Sequence, residues 1–393
     1  MRVFIVGSFL IATLAHATPF LPEQLQLRVA INLGSDLGGA SSAFNPRIFD
    51  GDNFVNQINS PMGFGRYPSG SSVAEIVINN TALPLEHRMV APFRGINRTT
   101  YMMGSGSGAA LNGLISRYDF DGAHRVDAAT PGGQTAEGFD WVDDNTIIYT
   151  DYNSGNRKRL YLTDVVADPF SLSSNPAWNS SGFITTSVTT RVRNVRVGDV
   201  YSGFAYYGDA GQNNNPNFYA VNLATGAETL LGNAGTLTGG GSFGVWTVLE
   251  RGGYLYVQTT DNGVQVYNLT SATSLGSQFT TYTKAELDAV TGGSAQYFGL
   301  DVTPDGSKLL LGGIAGLIYE LGAPTLTISQ SGTDVILSWP TSVNSVVLQH
   351  SVTLSPPNFT ELDPQPAITS DGVMNTAVVP ISTAAEFFRL RKL

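Results

Sequence analysis

The amino-acid sequence predicts an all-β fold, and three observations support that prediction. Gly is abundant, with 44 residues among 393, and only 13% of the residues are charged, which suits short strands joined by many turns. Short apolar runs recur along most of the chain, with turn residues between them. Helical periodicity is nearly absent, and the best candidate helix is 283–290, where Thr283 and Glu286 have the spacing of a capping box.

The apolar runs are organised as a repeat. In 136–151 and in 297–313 an apolar run, a polar turn and a second apolar run follow one another, and a third run comes soon after. Looser copies begin near residues 45, 94, 197 and 243, so that equivalent strands recur about every 50 residues. One small antiparallel sheet cannot bury both of its faces, and such sheets therefore stack around an axis as the blades of a β-propeller. The repeat predicts a six-bladed β-propeller, and seven blades is the alternative.

A propeller ring closes when strands from both ends of the repeat region share one blade. The last unit supplies only three strands and ends at Leu321. The segment 25–33 alternates between apolar and polar residues like an edge strand. We expect this segment to be the fourth strand of the last blade.

The strand pattern changes after a Gly-Ala-Pro sequence near residue 323. From there the chain has short alternating strands, which predict a small β-sandwich of immunoglobulin or fibronectin type with Trp339, Phe388 and Leu390 in its core. The predicted domains are thus a propeller in 18–323 and a C-terminal sandwich in 324–393. A seventh blade is the competing interpretation of this last region.

The N-terminus predicts export. Arg2 precedes the apolar run 3–14, and Ala15-His16-Ala17 then fits the small-residue pattern of a cleavage site. We expect 1–17 to be a signal peptide cleaved after Ala17, and no later stretch is long and apolar enough for a membrane span. The chain contains no Cys and so no disulfide, which favours a bacterial protein that is secreted or held at the cell surface.

The charge of the chain disfavours some partner classes. The net charge is −10 and the pI is about 4.8, with the acidic residues scattered along the sequence. Repulsion from phosphate groups argues against nucleic acids and against anionic membrane surfaces as partners. We expect an extracellular macromolecule or a carbohydrate instead.

The two clearest repeat units resemble the blades of the NHL, YWTD and SMP-30/gluconolactonase propellers. The best match begins at Glu137-Gly138-Phe139-Asp140 and ends at Tyr149-Thr150-Asp151, which is similar to a YWTD motif without its Trp. The second match runs from Asp301 to Leu311. The resemblance covers two units well and four loosely, and it implies the propeller class.

The C-terminal region resembles small sandwich modules that end many secreted proteins of environmental bacteria. The similarity lies in Ser338-Trp339-Pro340 near its start and Phe388-Arg389-Leu390 near its end. It implies attachment, carbohydrate contact or sorting, and no catalysis.

The resemblance to SMP-30-like enzymes implies a metal ion in the central channel, held by acidic and amide side chains beside the blade glycines, as suits Ca²⁺. The residues before the corresponding glycines are Arg94, Glu137, Phe243 and Phe298. Only Glu137 is a candidate metal ligand, since Arg94 would repel a cation and the two Phe would make the channel apolar. We therefore expect the four residues to line a ligand-binding channel with no cofactor. A bound calcium ion is the alternative that we keep.

Two functional hypotheses follow. The first is a secreted, non-enzymatic propeller for binding or scaffolding, tethered or sorted through its C-terminal domain. The alternative is an extracytoplasmic, metal-dependent hydrolase or lyase of the lactonase-like type, which would need at least two further carboxylates within about 5 Å of Glu137. Asp140 and Asp301 are expected to be structural and to accept hydrogen bonds from N–H groups of turns.

Overall fold

The computed structural model describes residues 19–22, 25–39, 43–49, 51–57, 63–79, 87–92, 100–105, 113–119, 125–152, 156–211, 214–237, 244–259, 263–293, 296–322, 326–340, 346–353, 359–372, 374–380 and 386–392. The predicted signal peptide, 1–17, lies outside these residues. The described residues divide into two compact units: 27–304 with 309–320 form the first, and 321–392 with the short segments 19–26 and 305–308 belong to the second.

The first unit consists of antiparallel sheets that follow one another along the chain. It begins with strand β1 (Gln26–Asn32) and the single helical turn α1 (Leu33–Asp36). Five sheets then form from consecutive strands. Their strands are β2 (Ala43–Phe49), β3 (Asp52–Gln57), β4 (Gly63–Tyr67) and β5 (Ile76–Asn79); β6 (His87–Pro92), β7 (Thr100–Ser105), β8 (Leu114–Asp119) and β9 (Val126–Ala129); β10 (Ala136–Trp141), β11 (Thr146–Asp151), β12 (Arg159–Val166) and β13 (Ser171–Ser174), with β14 (Phe183–Thr185) also paired to β12; β15 (Val195–Val197), β16 (Phe204–Gly208), β17 (Asn217–Asn222) and β18 (Glu228–Asn233); and β19 (Val245–Arg251), β20 (Tyr254–Thr259), β21 (Gly263–Ser271) and β22 (Ser274–Tyr282).

A sixth sheet joins the two ends of the repeat region. Helix α2 (Lys284–Thr291) precedes it, and its strands are β23 (Tyr297–Val302), β24 (Lys308–Gly313) and β25 (Leu317–Gly322), with a 3₁₀ turn at Ile314–Gly316. Its fourth strand is β1, which pairs with β25. The prediction that 25–33 completes the last unit is therefore confirmed. Strand β4 was not predicted, because its sequence GFGRY has two glycines and no clear alternation.

The first strands of the six sheets form a closed ring, which we call the inner ring. Its members are β2, β6, β10, β15, β19 and β23; each contacts the next, and β23 contacts β2. In five of the six sheets the first strand has a register shift against its neighbour, as between Ala136 and Phe139 or between Tyr297 and Leu300. This ring of sheets, five with four strands and one with five, is a propeller-like, all-β fold.

Two glycines at these bulges allow neighbouring first strands to approach closely. A Cβ atom on Gly138 would lie 2.5 Å from the carbonyl oxygen of Arg193, and one on Gly299 would lie 2.8 Å from Cα of Asn45. Gly299 also has a φ of +90°, which residues with side chains rarely adopt. The glycine of the repeat is thus required where one sheet meets the next.

Apolar side chains fill the spaces between neighbouring sheets. Phe139 and Tyr149 of the third sheet share a core cluster with Ile115 of the second, while Val55 of the first sheet packs with Leu310 of the sixth. Similar clusters join the third sheet to the fourth and the fourth to the fifth. These clusters therefore fill the spaces between four pairs of neighbouring sheets, as stacking of blades requires.

The predicted helix is confirmed as α2. Thr283 and Glu286 form both hydrogen bonds of a capping box, and Gly292 ends the helix in the left-handed conformation. Within the described ranges, neither α1 nor α2 has the length and apolar character that crossing a bilayer requires.

The C-terminal unit contains two sheets around one apolar cluster. The strands are β26 (Thr327–Ser331), β27 (Asp334–Pro340), β28 (Val346–Ser351), β29 (Thr360–Glu361), β30 (Ile368–Ser370), β31 (Met374–Pro380) and β32 (Phe387–Lys392). One sheet has the order β26-β27-β31-β30 and the other β29-β28-β32. Trp339, Phe388 and Leu390 are buried in the shared cluster, as predicted.

The close approach at Gly299 leads to a stability prediction. Gly299→Ala should destabilise the protein by about 2 kcal/mol or more beyond the cost of an unfavourable φ, because the new methyl group meets the Asn45 backbone. Gly253→Ala is the matched control, since Gly253 has a φ of +83° and no atom within 4 Å of the added Cβ. Urea denaturation of the two variants measures the difference, and equal losses of stability would contradict the steric argument.

Candidate binding site on the inner ring

The strand order defines two ends of the inner ring. Consecutive strands of an antiparallel sheet alternate in direction. The end where the first strand begins therefore carries the connection from the preceding sheet. The same end also carries the loop between the second and third strands. We call this end of the ring the start face. Side chains from different sheets meet inside the ring in two layers at increasing depth from it.

The layer nearer the start face is centred on Trp246 of β19, which is 1% exposed. The guanidinium of Arg193 lies 4.7 Å from the Trp246 ring, and the Phe298 ring meets it edge-on at 5.2 Å. The indole Nε1 donates a hydrogen bond to Asn45 Oδ1 at 2.9 Å. Arg193 Nη1 in turn donates to Glu137 Oε1 at 2.8 Å. These five residues, the Trp246 layer, connect four of the six sheets with the segment that leads into β15.

The second layer is centred on Arg196 of β15, which is also 1% exposed. Its Nη2 lies 2.8 Å from Asp301 Oδ1, and its Nε lies 3.3 Å from Asp140 Oδ2. Arg47 Nη1 approaches the same Asp140 oxygen at 3.6 Å, and Arg251 Nη2 lies 3.4 Å from Asp301. We call these five residues the Arg196 layer. Arg193 lies two residues before β15 and Arg196 lies within it, so the two layers are at different depths of the ring.

The bulge in β10 explains how one strand serves both layers. Residues three apart in a regular strand point to opposite faces. Glu137 and Asp140 are three apart, yet both meet arginines of the neighbouring sheet, because the extra residue of the bulge falls between them. The repeat therefore places a polar side chain at two depths of the ring.

The Arg196 layer is a buried ionic network in which three guanidinium groups share two carboxylates. Burial lowers the pKa of the Arg47 guanidinium below its usual value, although Asp140 and Asp301 act in the opposite direction. A buried pair contributes little net stability, but removal of one partner is costly because it leaves a charge without compensation. The network thus fixes how the sheets are arranged around the ring.

The predicted structural role of Asp140 and Asp301 is confirmed, but their partners are not turns. Asp140 Oδ2 accepts a hydrogen bond from the backbone N–H of Val197, and Asp301 Oδ2 accepts one from the N–H of Ile48, both at 2.9 Å. Each donor belongs to the first strand of the next sheet. These carboxylates therefore connect neighbouring sheets.

The four residues predicted to line the channel are placed differently from one another. Glu137 and Phe298 are both in the Trp246 layer, where they contact Arg193 and Trp246. Arg94 and Phe243 lie outside the described residues. By strand register, the bulge position of Glu137 corresponds to Arg88 in the second sheet and to Trp246 in the fifth. When the sheets are aligned by their glycines, Arg94 and Phe243 correspond to Glu137. When they are aligned by their bulges, Arg88 and Trp246 correspond to it instead. That all four residues bind a ligand stays a prediction.

Glu137 is engaged with a guanidinium. In the part of the chain that the structure describes, no three His, Asp or Glu side chains are grouped closely enough to hold a metal ion. The arrangement around Glu137 suits an ion pair between neighbouring sheets.

The segment 189–193 carries arginines to the start face. Asp209, which is 1% exposed, fixes this segment by accepting hydrogen bonds from the hydroxyls of Thr189 and Thr190 and from the Thr189 N–H at 2.6 Å. Ala210 N–H donates to the Arg191 carbonyl at 2.9 Å. Burial alone would raise the pKa of Asp209, but the hydrogen bonds from Thr189 and Thr190 outweigh it and hold the pKa below its ordinary value.

Sequence reasoning missed most residues of the two layers. Arg193 and Arg196 have a local signal, because RVRNVRV (191–197) places three arginines within an apolar strand pattern. A cation at an otherwise buried position indicates a buried partner. Trp246 and Asn45 have no comparable signal, since they meet across 201 residues of sequence.

Comparisons with known proteins show only distant structural likeness. No family model matches the chain, and no curated protein matches its sequence. One chain in the crystal structure of a mitotic checkpoint complex is 14% identical, covering 70% of this chain and 74% of that one, with a TM-score of 0.44. The WD40 domain of Pan2 from Neurospora crassa is 7% identical, covering 78% and 98%, with a TM-score of 0.49. The propeller-like fold is therefore assigned from the strand order and the closed inner ring.

The Arg196 layer leads to a prediction for its central carboxylate. Asp301→Asn should lower the free energy of unfolding by about 3 kcal/mol, because Arg196 would stay buried beside a neutral amide. Asp143→Asn makes the same charge change in an exposed turn and should cost less than about 0.5 kcal/mol. Urea denaturation followed by Trp fluorescence compares them, and an Asp301 variant as stable as the control would show that the layer is not a critical constraint.

Asp209 leads to a prediction about pH. Because its pKa is lower in the folded protein than in the unfolded chain, its stabilising effect is complete above about pH 4 and is lost as the pH falls through the folded-state value. Asp209→Asn should therefore be about 1–2 kcal/mol less stable than the parent at pH 7, with a difference that shrinks below about pH 4. Urea denaturation between pH 3 and pH 7 measures this difference. A constant difference across the series would rule out titration of Asp209 as its source.

Proposed function

We propose that this protein is a secreted, non-enzymatic binding or scaffolding protein. It would consist of a six-bladed propeller in 18–323 and a β-sandwich of immunoglobulin or fibronectin type in 324–393, after removal of a signal peptide at Ala17. The propeller would bind an extracellular macromolecule or carbohydrate, and the C-terminal module would tether or sort the protein.

One observation carries the binding hypothesis: polar side chains inside the inner ring are engaged with one another. Glu137 is paired with Arg193, Asp140 and Asp301 are paired with Arg196, and Trp246 contacts residues of three other sheets. An acid–base pair for hydrolysis needs two carboxyl groups with different pKa values, and a substrate must be able to reach both of them. The side chains inside the ring hold the sheets together. A partner would therefore bind at the two ends of the ring, where the loops lie.

The proposal that the propeller is of the NHL, YWTD and SMP-30-like class is supported by the Tyr149-Thr150-Asp151 sequence of β11. Tyr149 stacks on Tyr161 at 5.0 Å between ring centroids, and the Tyr161 hydroxyl donates to Asp151 Oδ2 at 3.1 Å. Thr150 Oγ1 accepts a hydrogen bond from the Gly138 N–H at 2.9 Å. The motif thus has a structural use in its own sheet, as a blade repeat would.

The proposal of a C-terminal sandwich is supported by its two sheets and their common apolar cluster. Val335 and Leu337 of one sheet share this cluster with Leu348 and Leu390 of the other. Alternating exposed residues such as Val378, at 50%, face away from it. Two sheets that enclose one core form a sandwich.

The binding hypothesis is tested by a thermal-shift series on the mature chain with calcium, EDTA, oligosaccharides and lactones. Binding of a ligand to the folded state adds RT ln(1 + [L]/Kd), which is roughly 4 kcal/mol at about 1,000 Kd. We expect a rise in Tm with at least one saccharide or isolated cell-surface polymer, no effect of EDTA and no turnover of lactones.

A calcium-dependent rise in Tm that EDTA reverses, together with turnover of a lactone, would instead support the metal-dependent hydrolase or lyase. In that case Glu137→Gln should abolish turnover, whereas Glu75→Gln, which changes an exposed carboxylate, should not. Turnover that is lost in the first variant and kept in the second would overturn the non-enzymatic proposal.

A further inference from the structure

The start face carries a group of positive charges on a protein whose net charge is −10. Arg157, Arg191 and Arg193 lie together there, and Glu137 and Tyr152 are their neighbours. We propose that this group, the start-face arginine cluster, is a binding site for an oxyanion, namely a carboxylate, sulfate or phosphate group of the ligand. The inference rests on the proposed binding function and specifies the chemistry that the propeller would recognise.

Backbone contacts bring the three arginines together. The Val192 N–H donates to the Arg157 carbonyl at 2.9 Å, so the loop that follows β11 runs beside the segment that leads into β15. Arg157 Nε donates to the Tyr152 carbonyl at 3.0 Å, and its guanidinium lies 4.9 Å from the Tyr152 ring. Arg193 is held by Glu137 and Trp246 in the layer below. The cluster is thus built on ordered backbone.

The charges around Arg191 favour an anion. Burial, together with repulsion from Arg193 and Arg157, lowers the pKa of Arg191 to about 10, and Glu137 opposes part of this effect. The Glu137 carboxylate attracts Arg191, and the Asp209 carboxylate fixes the backbone of the same segment, but Arg157 and Arg193 add two further guanidinium groups beside it. An oxyanion would reduce the repulsion among them, and the planar guanidinium can bind a carboxylate or phosphate with two parallel hydrogen bonds.

Accessibility separates this cluster from the other arginines of the ring. Arg47 and Arg196 in the Arg196 layer are 4% and 1% exposed, and a ligand could not reach them without opening the ring. Arg157 and Arg191 are half-buried, so their side chains are partly accessible to solvent. The cluster also lies at the end of the ring where the connections between sheets and the second loops converge. A ligand with its anionic group on the cluster would contact these loops with its remaining part.

The test uses isothermal titration of the mature chain with sodium glucuronate, inorganic phosphate and glucose, at an ionic strength held constant with NaCl. We expect glucuronate or phosphate to bind and glucose to give no signal. Arg191→Gln should weaken the binding of the anion by about tenfold or more. Arg125→Gln is the matched control, because it removes the same charge from an arginine that pairs with Asp127 on β9. The control should bind as the parent does.

Arg157→Gln serves as the second cluster variant if Arg191→Gln does not fold, and it should weaken binding in the same direction. Glucuronate without phosphate would indicate an acidic saccharide, and phosphate without glucuronate would indicate a phosphorylated ligand; both outcomes support an oxyanion site. Equal affinity of the parent and a folded cluster variant, or no binding of either anion to the parent, would overturn it. If the parent still binds a neutral saccharide or a cell-surface polymer, the binding function stands and only the oxyanion site is wrong.

Discussion

The close approach of the first strands around the inner ring is the constraint on which the rest of the structure depends. Each of these strands must lie against two others, and a side chain at the point of contact would separate them. Gly138 and Gly299 provide the space, since their backbones lie against Arg193 and Asn45 of the next sheets. The bulges at the same positions then point side chains into the ring at two depths.

This geometry determines what can fill the ring. Backbone N–H groups of one strand lie within reach of carboxylates on the neighbouring strand, as at Val197 with Asp140 and at Ile48 with Asp301. Carboxylates buried in this way need cations beside them, and the arginines of the ring satisfy that requirement. Glu250 follows the same principle outside the layers, because its Oε2 accepts from three successive N–H groups in the turn that follows β15. Acidic side chains thus join the third sheet to the fourth, the fourth to the fifth and the sixth to the first.

The sequence allows those features to be predicted that depend on local pattern. Turns such as Asp143-Asp144-Asn145, the capping box of α2 and the apolar positions around Trp339 are set by residues close to one another in the chain. The closing strand β1 was also predictable, because a three-stranded last unit needs a partner. The contents of the ring were not predictable in the same way. Trp246, Asn45 and Arg47 acquire their partners only when the ring closes, and the glycine alignment placed Phe243 where the bulge alignment places Trp246.

The distribution of charge connects the ring to the proposed function. An acidic protein repels anions at long range, and long-range repulsion weakens as salt screens exposed charges. Inside the ring, the carboxylates of Asp140 and Asp301 compensate two of the three positive charges of Arg47, Arg196 and Arg251. Toward the start face, RVRNVRV adds Arg191 beyond the ion pair of Arg193 with Glu137, while Asp209 fixes the backbone of the same segment. Arg191 and Arg193, two residues apart, therefore bring the start-face arginine cluster to the end of the ring where the first strands begin, on a protein whose net charge is negative. A site of this kind selects ligands by local geometry more than by long-range attraction, and a single anionic group on a larger, uncharged ligand would suit it best.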